Sequence, residues 1–426
     1  MISLILFGGF AALLIISVPI AIALGMASTI ALLYSGKVSS SYIAQGLVTS
    51  IDSFPLMAVP FFILAGDLMG QGGLSRRLLE VGNTIFGRYT GGMAIIAIVT
   101  CMFFAAISGS GPATVAAIGG IMLPTMLRHG YNSGYSVGLV AAAGSIGIII
   151  PPSIPMIIYA VSANVSITQM FLAGIIPGLF IGVALIITAY VKARKAGYKG
   201  FDRRYKASEI WASVWDAKWA LLVPIIILGG IYGGVFTPTE AAAVGVIYGF
   251  VIGFFVYKEL KLSDLYKVVS GSALTSATVV LIVGTATIFG RVLAIERIPF
   301  HIAEYIVSLT DSAVLILVLV NILLLVVGMF METIAAIIIL TPILLPVVTA
   351  VGVHPVHFGI VMIVNLAIGM VTPPVGVNLF VGSRVGSVPL ESAMVGAIPF
   401  IAAMIVVLLL ITYVPWISLA PLSLLN

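Results

Sequence analysis

The sequence predicts an all-α polytopic membrane protein made of two inverted structural repeats, each with a re-entrant helical hairpin and a discontinuous Pro-Pro helix. Three observations predict it. The 426 residues are 61% hydrophobic and only 8% charged. Glycines and prolines of the first half recur at a fixed spacing in the second. Two pairs of apolar limbs, each too short to cross a bilayer, meet at polar or glycine-rich tips.

A chain of this composition cannot keep its apolar side chains out of water, which excludes a soluble fold. The first charge is Lys37, so residues 1–36 are uncharged and would extend about 54 Å as one helix. A bilayer core is about 30 Å thick, which favours two spans, near 2–17 and 19–35, divided at Pro19. No basic region precedes them, so a cleaved signal peptide is not expected. The single cysteine, Cys101, allows no intramolecular disulfide and leaves the redox compartment open. The net charge of +5 does not indicate nucleic acid here, because the basic residues read as topology signals. Eight of the nineteen Lys and Arg, Arg203 among them, lie in 192–218. By the positive-inside rule that stretch is cytoplasmic, and with Trp211, Trp215 and Trp219 it suits a basic amphipathic connector.

On either side of the connector the chain repeats itself. Pro124, Gly147, Pro151 and Pro152 fall on Pro346, Gly369, Pro373 and Pro374 at an offset of 222, and Gly174 and Pro177 fall on Gly396 and Pro399. Looser matches set Pro19 and Gly25 against Pro238 and Gly245. One such pair is expected by chance in a glycine-rich chain; an ungapped diagonal of them indicates duplication. The expected organisation is a first inverted repeat over 1–191, the connector over 192–218, and a second repeat over 219–426.

Inversion requires an odd number of crossings per copy. In the first, a third span near 54–70 is followed by an amphipathic arm around 74–89, where Arg76, Arg77, Glu80 and Arg88 alternate with leucine, valine and isoleucine at helical spacing. Limbs 93–107 and 112–126 are separated by Ser108-Gly109-Ser110-Gly111, and each is about 22 Å long. A re-entrant hairpin over 93–126 is the economical reading, followed by a broken helix over 135–163. The second copy offers limbs 313–327 and 333–346 around Gly328-Met329-Phe330-Met331-Glu332, giving a hairpin over 313–350 and a broken helix over 357–383.

The double prolines carry the most specific chemistry. A proline cannot donate to the carbonyl four residues earlier, so Pro151 and Pro373 release those of Gly147 and Gly369, and Pro152 and Pro374 those of Ile148 and Met370. Irregular backbone at membrane depth persists only where it is buried in protein or lines a wet cavity. Carbonyls together with hydroxyls form an all-oxygen cage that suits Na⁺. Ser108, Ser110, Thr114 and Ser153 supply side-chain oxygens in one copy, and Thr333, Thr372 and Asn378 in the other. Pro-Pro as a packing kink and Ser-Gly-Ser-Gly as a close-packed tip are the bland alternatives. Helix packing, however, does not require both features to be duplicated together.

Charge within the membrane is the next signal. Glu332, at the second tip, has three candidate roles: cation ligand, proton acceptor, or cap of the following limb. Asp67 is an intramembrane carboxylate or lies at a membrane edge beside Gly70-Gln71-Gly72-Gly73. Glu240, in Thr237-Pro238-Thr239-Glu240, reads as part of a helix cap. Half-helix N-termini at the tips and breaks would attract an anionic substrate. Arg384 either assists or snorkels to the cytoplasmic face. The four histidines are assigned to loops without a third ligand, so no transition-metal site is expected. An intramembrane serine hydrolase built on Ser108 or Ser110 lacks a placed base, and the sequence carries no phosphate-binding loop. No enzymatic role and no cofactor are therefore expected. Two hairpins closing on paired breaks describe an occludable site rather than a continuous channel.

Several long strings also resemble a known family. Val59-Pro60-Phe61-Phe62-Ile63-Leu64-Ala65-Gly66-Asp67, Ser108-Gly109-Ser110-Gly111-Pro112-Ala113-Thr114, Gly233-Gly234-Val235-Phe236-Thr237-Pro238-Thr239-Glu240-Ala241-Ala242 and the segment 369–378 are similar to the large membrane subunits of tripartite ATP-independent periplasmic (TRAP) transporters. The similarity covers essentially the whole chain. It implies an elevator-type ion-transporter-like fold in the bacterial inner membrane, with hairpins and broken helices moving against a scaffold. It further implies Na⁺ as coupling ion, a small four-helix membrane subunit, and a soluble periplasmic binding protein that delivers a small carboxylate such as a C4-dicarboxylate or sialic acid. With it, the candidate sodium-binding residues are Ser108, Gly109, Ser110, Thr114, Gly147, Ile148, Pro151 and Ser153 in one copy. In the other they are Glu332, Thr333, Gly369, Met370, Thr372 and Pro373. Ser110, Gly111, Pro112, Pro152, Thr333, Pro374 and Asn378 are the candidates for substrate, between the two tips. A stand-alone divalent-anion/sodium symporter, which needs no delivery protein, is the competing transporter class.

Overall fold

The computed structural model describes residues 1–200, 204–309 and 312–425, all of them helix, turn or coil, so Arg203 of the connector lies outside the described residues. The first copy opens with α1 (Ile2–Ile15) and α2 (Ile20–Ser35), the latter starting immediately after Pro19. A helix the hydropathy did not separate, α3 (Ser40–Ile51), then precedes α4 (Ala58–Gln71). The arm is α5 (Leu74–Phe86), which buries Leu74, Leu78, Leu79 and Gly82 and exposes Arg76 and Glu80, as its amphipathic spacing requires. The hairpin follows as α6 (Gly92–Ser108) and α7 (Gly111–Arg128). The interrupted helix is α8 (Ser133–Ser145), extended by a tight turn over Ile146–Ile148, and α9 (Ile154–Ala163). A 30-residue span, α10 (Ile167–Ala196), closes the copy.

The connector forms α11 (Ala207–Asp216), which leaves Trp211 and Trp215 exposed and meets α12 (Lys218–Tyr232) at a bend of 55°. The second copy continues with α13 (Pro238–Val251) and the 34-residue α14 (Leu262–Ile295), then α15 (Ile298–Leu309). Its hairpin is α16 (Ala313–Phe330) and α17 (Thr333–Ala350), and its interrupted helix is α18 (Pro355–Gly369) and α19 (Val377–Gly386). The described residues close with α20 (Leu390–Tyr413), a short α21 (Trp416–Leu419) and a tight helical turn over Ala420–Leu425.

The hairpin limbs are 17 or 18 residues long, longer than expected, and by length and composition α16 and α17 could each cross a membrane, so the expectation that every limb is too short does not hold for the second hairpin. Both interrupted helices break at Pro-Pro, and both Pro-Pro bonds are cis. The two copies interlock by equivalent contacts: α7 packs on α19 while α17 packs on α9, α8 packs on α20 while α18 packs on α10, and α4 packs on α13 while α14 packs on α2. Long apolar helices, among them α10, α14 and α20, have the length and hydropathy of membrane spans. The protein is a multi-pass helical membrane protein.

Two ion-pair sites fix the edges. Arg77 of α5 bonds Glu259 at 2.7 Å, approaches Asp216 at 3.3 Å, and lies 3.6 Å over the Tyr257 ring, joining the arm to the connector and to the α13–α14 loop. Lys37 pairs with Glu296, at the end of α14, at 2.6 Å.

Candidate functional site

The first tip is a knot of oxygens. The Ser108 and Thr114 hydroxyls lie 2.8 Å apart, and both donate to the Ser110 carbonyl, at 3.3 and 2.8 Å. Gly109 makes the turn with φ +61°, a left-handed conformation open to glycine without strain. The first break closes directly onto this knot. The Ile154 N–H donates to the Gly109 carbonyl at 3.3 Å, and the Ser153 hydroxyl donates to the Ile148 carbonyl at 2.7 Å. Gly147 is pressed so closely that a β carbon there would stand 2.6 Å from the Ser110 carbonyl oxygen and 2.7 Å from Thr114 Oγ1. Ser108, Ser110, Thr114, Gly147, Ile148 and Ser153 are thus gathered in one place, with Pro151 and Pro152 buried beside them.

The second tip is built differently. Glu332 takes the capping role, accepting the Ile334 and Ala335 N–H groups at 2.9 and 3.1 Å. Thr333 is 2% exposed and its Oγ1 has no hydrogen-bond partner. Gly328 of α16 packs backbone to backbone on Gly369 at the second break. The Gly369 carbonyl accepts the Thr372 N–H at 3.0 Å, the Met370 carbonyl accepts the Asn378 N–H at 2.9 Å, and the Thr372 hydroxyl donates to Ile368 at 2.7 Å. The carbonyls expected to stand free at Ile148, Gly369 and Met370 therefore have partners. A buried carbonyl takes whatever donor the turn supplies, and its second lone pair remains for an ion. Pro373 is half-buried and Pro374 exposed. Asn378 crosses between copies, donating to the Ala141 carbonyl at 3.3 Å, while its Oδ1 is buried without a partner.

Both tips end on a cavity of about 560 Å³. Ser108, Gly109, Ser110, Pro112, Ile148, Glu332, Thr333 and Met370 line it; Gly111, Thr114, Gly147, Pro151 to Ser153, Gly369, Thr372 to Pro374 and Asn378 stand behind or away from its wall. The facing wall comes from α4, through Ile63, Gly66 and Asp67, and from α14, through Leu274, Thr275, Thr278, Val279 and Ile282. Asp67 therefore faces the cavity. Its Oδ2 accepts the Ser272 hydroxyl at 2.5 Å. The α14 wall was missed in the sequence, although Ser272, Thr275 and Thr278 carry hydroxyls at i, i+3 and i+6 of an apolar helix, one face by its period. Gly66 lets the wall touch the first tip: a β carbon on it would lie 3.0 Å from Ser108 Cα.

The remaining candidates fall elsewhere. Arg384 is exposed in the last turn of α19 and does not line the cavity. Glu240 accepts the Thr237 N–H at 2.8 Å in the capping box that starts α13. The loop assignment fails for His301, which lies in α15, and for His357, which lies in α18, 2% exposed, with its ring nitrogens 2.7 Å from Ser418 Oγ and 3.2 Å from the Thr412 carbonyl. Pro355 opens that helix in its first turn instead of ending a loop. No group of three or more His, Cys, Asp or Glu able to hold a metal occurs among the described residues.

The fold resembles that of the YdaH transporter of Alcanivorax borkumensis, with a TM-score of 0.62, 14% identity and 88% of each chain covered. Closer relatives are found in sequence. The chain is 54% identical over 411 residues to an isethionate TRAP transporter permease, DctMQ, of Oleidesulfovibrio alaskensis, covering 96% of this chain and 65% of the longer relative. It is 42% identical to the C4-dicarboxylate large permease DctM of Pseudomonas aeruginosa, with 93% of each chain covered. To the sialic acid large permease SiaM of Vibrio cholerae it is 37% identical, with 96% of each covered. These relatives are transporter permeases, and this chain is a permease rather than an enzyme. Residues 7–417 match the tripartite ATP-independent periplasmic transporter, DctM component, and the chain belongs to that family.

Proposed function

We propose that this permease carries out sodium-coupled uptake of a small organic acid, a carboxylate or sulfonate, across a bacterial inner membrane by an elevator-type movement. Its partners in this reading are a small four-helix membrane subunit and a soluble periplasmic binding protein that delivers the substrate. One observation carries it: two hairpin tips close on one cavity, facing a separate wall of α4 and α14. A site shared between two packed bodies is what alternating access requires. Sodium is assigned first to the oxygen knot of Ser108, Ser110 and Thr114 at Gly147, where hydroxyls and a carbonyl converge without a fixed charge. The second sodium position lies between residues 331–335 and 369–378. The relatives named for isethionate, C4-dicarboxylate and sialic acid support an acidic solute.

The test is uptake of a labelled organic acid into vesicles holding this chain with the small subunit. Uptake is expected only with an inward sodium gradient and an added binding protein. Sodium-independent uptake would overturn the coupling. Uptake by this chain alone, without either partner, would make it the stand-alone symporter instead.

A further inference from the structure

A row of cavities follows α14 beyond the tips. Val279, in the wall of the 560 Å³ cavity, also lines a narrow gap of about 80 Å³. That gap shares Leu56, Ile158 and Val283 with a third cavity of about 340 Å³. One side of the third cavity comes from α14 and α3; the other comes from α9, through Ile158, Val161 and Ser162, and from α17, through Ile338 and Pro342. Helix α14 starts beside the connector, where Glu259 meets Arg77 and Arg77 approaches Asp216, and it ends where Glu296 pairs with Lys37. The third cavity therefore lies toward the face away from the connector.

Charge changes sign along this row. Asp67 and Glu332 line the first cavity, and no Lys, Arg or His does among the described residues. Arg291 lines the third, nine residues after Ile282, about 14 Å further along the helix. An arginine near a helix end ordinarily reaches out to the lipid headgroups. This one is half-buried and lies against α3, with its guanidinium carbon 5.4 Å from the Tyr42 ring centroid. Gly46 of α3 makes room for it, since a β carbon there would stand 2.6 Å from Arg291 Nη1. Among the described residues Arg291 takes part in no ion pair. Ser162, exposed at the end of α9, brings a hydroxyl donor to the same cavity.

From the place of Arg291 we infer that the third cavity is an anion subsite, separate from the space between the tips, where the guanidinium takes the carboxylate or sulfonate of the solute. The inference rests on the proposed transport reading and adds a station to it. A planar guanidinium matches two oxygens of such a head group. A cation without a carboxylate partner also raises the local concentration of anions, which the acidic wall of the first cavity does not. The narrow gap at Val279 and Val283 keeps the two positions apart. The subsite draws on two packed bodies, Arg291 on α14 and Ser162 on α9.

Ser162→Cys places a thiol in this cavity, and the single native cysteine, Cys101, is buried. Labelling rates are measured on the complete membrane complex in nanodiscs of zwitterionic lipid, without a binding protein, for two methanethiosulfonates, one carrying a sulfonate and one a trimethylammonium group. Relative to their rates on a free thiol in solution, the sulfonate reagent should react about tenfold faster than the cationic one. Arg291→Gln in the same background should bring that preference to about threefold or less, and Arg291→Lys should retain most of it. Ethanesulfonate and propionate in excess, at constant ionic strength, should slow the sulfonate reagent. Equal rates for the two reagents, a preference unchanged by Arg291→Gln, or no protection by either acid overturns the inference, while sodium-coupled uptake, read in its own assay, is left standing. No labelling by either reagent shows a cavity closed to solutes and overturns it as well. If protection vanishes when acidic phospholipid is added to the nanodisc, the guanidinium serves a lipid phosphate and the inference falls. Protection is read without any change at Arg291, so the test holds even if Arg291→Gln does not fold.

Discussion

The two hairpin-and-break pairs share an outline and differ in what stitches them. The first is joined through oxygens, with Ser108, Ser110 and Thr114 bonded to one another and Gly147 lying against them. The second is joined backbone to backbone, Gly328 on Gly369. On the same diagonal, Ser108 is matched by Phe330, Thr114 by Ala336 and Ser153 by Val375. Behind the second break, polarity has moved inward: the Asn365 amide donates to Asn321 at 2.8 Å, and Asn321 donates to Thr412 at 3.2 Å. The equivalent positions in the first copy are Ala143, Val99 and Tyr190. A duplicated scaffold thus carries a cluster of hydroxyls at the tip of one copy and a buried amide clamp behind the break of the other. In the proposed reading the cluster serves an ion, and the clamp holds a limb in place.

The comparison is tested at the main chain by the paired glycines. Gly147→Ala pushes on the Ser110 and Thr114 oxygens and is expected to cost about 100-fold in sodium-dependent uptake, the penalty of misplacing a site by about 1 Å. Its mark is a raised sodium half-saturation, measured by uptake at graded sodium. Gly369→Ala forces the Gly328 backbone away, so lowered thermal stability should come before any change in sodium half-saturation. Should the two variants exchange phenotypes, the assignment of roles to the pairs is wrong.

A second test replaces the tip residues themselves. Ser110→Leu and Thr333→Leu should each abolish sodium-dependent uptake, and unchanged uptake with unchanged sodium dependence would refute both positions. The gentler Thr114→Val removes one oxygen and should weaken sodium about tenfold, or about 1.4 kcal/mol. Behind the second break, Asn365→Leu leaves the Asn321 oxygen without its donor. It should destabilise the purified complex by about 1–3 kcal/mol in thermal unfolding while sodium half-saturation stays put. The smallest effect is expected at the wall, where Gly66→Ala crowds Ser108 and should slow turnover about threefold, equivalent to about 0.6 kcal/mol of barrier.

Much of this was legible in the residues because prolines and glycines act locally. The duplicated breaks followed from Pro151-Pro152 and Pro373-Pro374, and the limbs from apolar runs ending at Ile107 and Val327, one and three residues before the helices themselves end at Ser108 and Phe330. What was hidden needed the partner surface. Helix α3 was passed over because Ser39-Ser40-Ser41 and Gln45 dilute its hydropathy. His357 was given to a loop because His-Pro-Val-His has turn composition, yet the proline sits where a helix accepts it. The place of Asp67 is decided by Ser272 on a helix 205 residues away in the chain. Asn321 and Asn365 are single amides within apolar helices, and nothing local shows that they meet.

The contact at Gly66 has a mechanical consequence. Interlocked side chains must change rotamer to pass one another, whereas a bare main chain meeting the tip at Ser108 leaves no tooth to disengage. Asp67 and Ser272 both belong to the facing wall, so in the proposed elevator movement their bond would stay whole. Resistance along such a track would then come from whatever the cavity holds, which ties ease of passage to its occupant.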